Sequence, residues 1–242
     1  MTGEAGRLLT AIAERGIAAR LLGGAAIRIM AGDRLHPAFE REIADVDLIV
    51  ARRDARPLED LLEQLGYAGD RQFNALNGHR RLLFEHPDHG RVDVFVETFE
   101  MCHALPLAER LEVRPDTLPA AELLLTKLQI VELNAKDRGD ALALLCALDV
   151  ADHDDGAINA ARIAELTARD WGLQHTVQLN LARLRDGLDE LPLEEGHRRR
   201  VGERTDAIGA AMEAAPKSRG WKLRARIGER KRWYEEPEEV DR

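Results

Sequence analysis

The chain is poor in aromatic residues: Phe, Trp and Tyr together make up 4% of its 242 residues. Its core is therefore expected to be built mostly from Leu, Ala, Val and Ile. It has two cysteines, Cys102 and Cys146. That is too few for a disulfide framework, and their separation is not that of metal ligands, so both are expected to be buried reduced thiols. Positive charge is also lacking overall. A net charge of −9 argues against a general nucleic-acid-binding protein. No run of about 18 apolar residues exists, so no helical membrane span is expected. The opening "MTGEAGRLLTAIAERG" has no basic segment followed by an apolar one, so no signal peptide is expected and the default is a soluble cytoplasmic protein. Neither G-x-x-x-x-G-K-[ST] nor G-x-G-x-x-G occurs, which leaves out the two most recognisable phosphate-binding loops.

What is present is unevenly distributed. Residues 197–233 hold 12 Lys/Arg against 4 Asp/Glu, a balance of +8. The end, 234–242, holds 1 against 5 and is expected to fray. Up to about residue 116 the pattern is mixed. An amphipathic helix over 4–15 precedes a short strand, "AARLL", which ends in Gly23-Gly24 where a second helix begins. "DVDLIV" reads as a strand and "RPLEDLLEQLG" as a helix stopped by Gly66. "RRLLFEH" and "RVDVFVE" read as a hairpin joined by Pro87-Asp88-His89-Gly90, and "RLEVR" as an edge strand. From Pro115 and Pro119 onward the pattern is helical: 117–134, 136–149, 158–170, 174–189 and 198–215. The expected fold is α+β: a mixed β-sheet core with flanking helices over 1–116, an all-helical region over 117–233, and an acidic tail over 234–242.

Three aspartates interrupt apolar strands. Asp45 and Asp47 alternate with Val46 and Leu48, so both point to one face of their strand. Asp93 lies between Val92 and Val94 of the hairpin. Carboxylates held together beside a core are costly unless a cation neutralises them. If the two strands are neighbours, the three acids form a hard-oxygen site suited to Mg²⁺. Glycines at the junction of strand and helix let a phosphate approach the backbone N–H groups at a helix start.

These residues carry a resemblance. "LLGGAA", then "REIADVDLIV", then "RVDVFVE" resembles the nucleotidyltransferase superfamily with a polymerase-β-like core. The segment Arg41–Leu48 is similar to that of the AbiEii-like toxin and antibiotic nucleotidyltransferase branch, with Ile43 where the family pattern has Thr. "LLLTKLQIVELNAKDRGDALAL" resembles the helical element of the toxin-like branch through Lys127, Lys136, Asp137 and Asp140. The similarity covers about residues 18–148.

The resemblance implies an enzyme that transfers NMP from an NTP such as ATP to an acceptor hydroxyl, with two Mg²⁺ ions. Asp45, Asp47 and Asp93 would be the catalytic and metal-binding residues. Gly23, Gly24, Arg41, Lys127, Lys136 and Asp140 would bind nucleotide. Lys127 read from its helix alone is equally a snorkelling surface lysine, and Asp137 and Asp140 a helix-start cluster. The acceptor stays open among RNA such as a tRNA end, a protein side chain and an antibiotic. A toxin of this branch would have an antitoxin protein as partner. The alternative is a catalytically inactive nucleotide- or partner-binding protein on the same fold.

His36, His79, His86, His89 and His103 lack zinc-ligand spacing and are read as turn and surface residues. "RGWKLRARIGERKRWY" is either an RNA-facing surface or an amphipathic helix that buries Trp221, Leu223, Ile227 and Trp233.

Overall fold

The computed structural model describes residues 3–236. It contains two compact units. The first takes in the chain up to Met30, Arg41–Phe99 and Ala104–Pro119. The second takes in Ala31–Glu40, Glu100–His103 and the chain from Ala120 on.

The first unit is a five-stranded mixed sheet in the order β1-β2-β5-β4-β3. Its strands are β1 (Ala19–Leu22), β2 (Asp45–Val50), β3 (Ala68–Gly69), β4 (Arg81–His86) and β5 (Gly90–Val96). Its helices are α1 (Gly3–Glu14), α2 (Gly23–Ala31), α3 (Ala55–Gln64) and α4 (Arg71–Asn77). β2 runs antiparallel to β1 and parallel to β5, and β5 turns back into β4 as the expected hairpin. The turn closes at Gly90, whose φ of +77° is left-handed, a conformation that costs glycine little. One sheet face carries Leu21, Val46, Leu48, Val50, Val92, Val94 and Val96, all buried. Alternation puts Asp45, Asp47 and Asp93 on the other face. Leu8 and Ile12 of α1 and Leu58, Leu61 and Leu62 of α3 complete the core. Each such side chain contributes roughly 1.5–3 kcal/mol by leaving water.

The second unit is mainly helical: α5 (Ala120–Leu128), α6 (Ala135–Ala147), α7 (Ala160–Thr167), α8 (Trp171–Asp186), α9 (Glu195–Ala214) and α10 (Arg219–Ile227). Asn134, Asn159, Asp170 and Ser218 cap α6, α7, α8 and α10 by accepting hydrogen bonds from backbone N–H groups of the first turns. Every residue of α5 is buried. Among the described residues no helix is long and apolar enough to cross a membrane.

Several expectations are corrected. "RLEVR" is not a strand: a 3-10 turn at Ala108–Arg110 leads into bends, because the N–H groups of Arg110 and Val113 bond locally to Leu107 and Arg110. The helix expected to run through "KLQIVELN" stops at Leu128. α4 and a parallel pair of short strands, Asp149–Ala151 and Ala157–Asn159, were not expected. In α10, Leu223 and Ile227 are 61% and 43% exposed rather than inside. The segment is instead pinned by Trp233, whose Nε1–H donates to Thr176 Oγ1 at 3.0 Å. Cys102 and Cys146 are buried free thiols, and burial pushes the Cys146 thiol up to about 11. Of the acidic tail, residues 237–242 lie outside the described residues.

Candidate active site

The site is assembled by strand pairing within the first unit. β2 and β5 are parallel neighbours in a register that sets Asp47 beside Asp93. Partners in such a register point the same way, and adjacent strands are about 4.8 Å apart. Asp45 follows on the same face, two residues earlier on β2. The sheet therefore gathers all three predicted acids on one half-buried surface.

The acids are in different surroundings. Asp93 is gripped by Arg81 of β4, with Nε donating to Oδ1 at 2.9 Å and Nη2 to Oδ2 at 2.5 Å. The guanidinium also lies over the rings of Phe95 and Phe73, at 5.0 and 5.8 Å from their centroids. Asp47 lies against Gly23, where an added Cβ would fall 1.8 Å from its Oδ2. The Asp45 side chain has neither a hydrogen bond nor an ion pair among the described residues.

The two glycines are required by shape. Gly23 opens α2 with a left-handed φ of +67°. At Gly24 an added Cβ would lie 2.3 Å from Nη2 of Arg41, whose guanidinium covers the helix start. A carboxylate and a guanidinium thus occupy the space that side chains at 23 and 24 would fill. Gly23→Ala is expected to displace Asp47, lowering transfer about 10²-fold as a preorganised group is lost, and to destabilise the fold by about 1–3 kcal/mol through backbone strain. Steady-state kinetics and thermal melting check the two parts.

The remaining predicted residues belong to the second unit. Lys127 of α5 is 8% exposed and holds Asp137 Oδ1 at 2.9 Å and Asp140 Oδ2 at 3.0 Å. It is therefore not a snorkelling surface lysine, and both acids of α6 meet it. Lys136 is exposed.

The histidine expectation is corrected at one position. His103 is buried and its Nε2 lies 2.9 Å from Thr176 Oγ1; burial pushes its pKa down to about 4. His36 Nε2 and His197 Nδ1 both reach Glu194 Oε2, at 3.1 and 2.8 Å. Hydrogen bonding, chiefly at its own backbone and from His36, lowers the Glu194 carboxyl to about 2. The trio has the residue types of a metal site. However, His36 Nδ1 accepts the Ala38 N–H, so in the neutral ring the proton sits on Nε2 and no lone pair faces Glu194.

Arg81 was missed in the sequence. Its signal was available in the hairpin: with Leu83 opposite Asp93, Arg81 falls diagonally across from that acid on the same face.

The donor set fits a hard divalent cation. Asp45 and Asp47 offer carboxylate oxygens on one face of β2.

A family model described as an uncharacterised nucleotidyltransferase matches residues 1–182. Among solved structures, a crystal structure of the lincosamide antibiotic adenylyltransferase LnuA with lincomycin bound is similar at 15% identity and a TM-score of 0.42. That similarity covers 58% of this chain and 94% of the other. No curated protein matches.

Proposed function

This chain belongs to that nucleotidyltransferase family, and on that premise we propose that it transfers NMP from an NTP to an acceptor hydroxyl, with Mg²⁺, at the face formed by Gly23, Gly24, Asp45, Asp47 and Asp93. The observation that carries this reading is the register of β2 and β5, which puts Asp47 beside Asp93 rather than on opposite faces.

The backbone N–H groups at the start of α2, where Gly23 and Gly24 carry no side chain, receive the phosphates. Arg41 adds a guanidinium over the same turn. Asp45 and Asp47 hold the metal. Mg²⁺ bound there neutralises charge on the triphosphate and on the departing pyrophosphate. The acceptor hydroxyl attacks the α-phosphorus, the bond to the pyrophosphate oxygen breaks, and Asp93 takes the hydroxyl proton. Positioning and charge neutralisation supply most of the rate.

ATP is among the donors considered. Through the resemblance of Arg41–Leu48, the proposal extends to a cytoplasmic toxin-type enzyme with a neutralising protein partner. The acceptor is a hydroxyl of RNA, protein or a small antibiotic-like molecule. The deciding experiment incubates the full chain and an Asp45→Ala control with each α-labelled NTP, Mg²⁺, and in turn total tRNA, cell protein or an antibiotic panel. Label in one pool, absent with the control, is the expected result and names the acceptor class. NTP binding with no label in any pool would leave a nucleotide-binding protein instead.

A further inference from the structure

α10 is anchored so that its apolar residues meet water. Ser218 Oγ caps it by accepting the Trp221 N–H at 3.0 Å. Arg224 lies over the Trp171 ring at 4.9 Å and donates to the carbonyl oxygens of Gly228 and Lys231, both at 2.7 Å. These contacts fix the inner face. Leu223 and Ile227, one turn apart, are left exposed. Arg219, Lys222 and Arg226 flank them on the outer face, are exposed, and have no ion pair among the described residues.

The same unit carries a surface of opposite character. A groove of about 630 Å³ lies between α7 and α9, walled by Ala160, Ala164, Ala168, Ala211, Ala215 and Pro216. Asp152 also lines it. Asp152 and Asp155 of the same loop are exposed, with no ion pair among the described residues. The other charged lining groups, Glu165 and Arg169, pair with each other. Ala160, Ala164 and Ala168 recur every four residues, as Leu223 and Ile227 do. Such rows interdigitate when two helices pack, and small walls let a helix come close.

We propose that the chain pairs with a second copy of itself, each α10 seated in the α7–α9 groove of the other. Leu223 and Ile227 fill the groove, while Arg219, Lys222 and Arg226 meet Asp152 and Asp155. Ser218 both lines the groove and caps α10, so the inserted face and the receiving groove adjoin. A two-fold axis then satisfies both contacts at once and closes the assembly at two chains. Single-stranded RNA is a poorer occupant of the α10 face. It needs free rings to stack on, and the Trp171 ring is taken by His175, stacked at 4.8 Å, and by Arg224. Two aliphatic side chains are also less than an interfacial helix immerses in lipid.

The test reads mass and uses exchanged charges. Sedimentation equilibrium of the full chain is expected to give twice the chain mass at micromolar concentration. Leu223→Asp, at an exposed position, should yield a monomer with unchanged circular dichroism. Lys222→Glu with Arg226→Glu puts acid against acid and should raise the dimer dissociation constant about 10²-fold or more. Asp152→Lys with Asp155→Lys should do the same by putting base against base. Mixing these two reversed chains should restore a dimer containing one of each, which an interface elsewhere would not produce. A dimer indifferent to all these changes, reversed chains that stay apart on mixing, or a mass that climbs past two chains overturns the pairing. So does a wild-type monomer at every concentration. Anisotropy of a labelled single-stranded RNA and flotation with phosphatidylserine vesicles would then show whether nucleic acid or an anionic lipid surface takes the α10 face instead.

Discussion

Asp47→Asn is expected to lower nucleotidyl transfer by about 10³-fold or more, since it removes an anionic group aimed at the reacting centre. The amide has the same shape as the carboxylate, so it still fits against Gly23, where the available space is smaller than a methyl group. The loss is therefore one of charge and not of packing. Circular dichroism should be unchanged. Asp45→Asn sharpens the comparison. Asp45 has no partner among the described residues, so its charge contributes repulsion within the acid cluster rather than an ion pair. Neutralising it should leave stability unchanged or slightly higher while transfer collapses. Such an inverse relation marks a group retained for function at some cost to the fold. Initial rates with a saturating α-labelled NTP, beside melting curves on the same preparations, check both variants. A variant that loses stability and activity together would assign the acid to structure instead.

The sequence made this site legible in proportion to how local its determinants are. Each acid is conspicuous because it breaks an apolar strand, and Gly23-Gly24 because it separates strand from helix. The hairpin was legible from Pro87–Gly90, where turn chemistry is written in consecutive residues. The pairing of β2 with β5 was not, since β3, β4, α3 and α4 intervene and parallel neighbours leave no short-range mark. Only that pairing brings Asp93 to the face of Asp45 and Asp47. Arg81 was lost for the same reason, as its meaning depends on a diagonal contact in a register not yet fixed.

In the helical unit the failures have a different origin. Periodicity shows that a helix has two faces but not which of them is covered. For α10 the sequence leaves open an RNA-facing surface or a buried apolar stripe, and in the structure Leu223 and Ile227 lie outward. α5 is buried on all sides, so its one lysine could not be placed by a polar face. The histidines show a related limit, since His103 gave no sequence sign that it would be enclosed beside Thr176.

Lys127→Met is expected to destabilise the protein by about 3–5 kcal/mol, the range for removing one partner of a buried ion pair. Lys127 and Asp140 are 8% and 6% exposed, and the ammonium serves Asp140 and Asp137 together. Its removal leaves two carboxylates with little water to replace it. Asp137 retains its hydrogen bond from Asn134 Nδ2 at 2.7 Å, which reduces its share of the cost. At roughly 2–4 °C per kcal/mol for a chain of this size, the melting temperature should fall by about 10 °C. The charge argument is isolated by adding Asp137→Asn and Asp140→Asn to Lys127→Met. Removing all three charges should recover much of the loss, because a buried ion network is costly to break from one side and far less costly to replace whole. If the triple variant is no more stable than Lys127→Met alone, the lysine stem is holding α5 to α6 by packing, and the carboxylates are bystanders. A recovery with transfer still absent would separate the fold's need for these charges from the enzyme's.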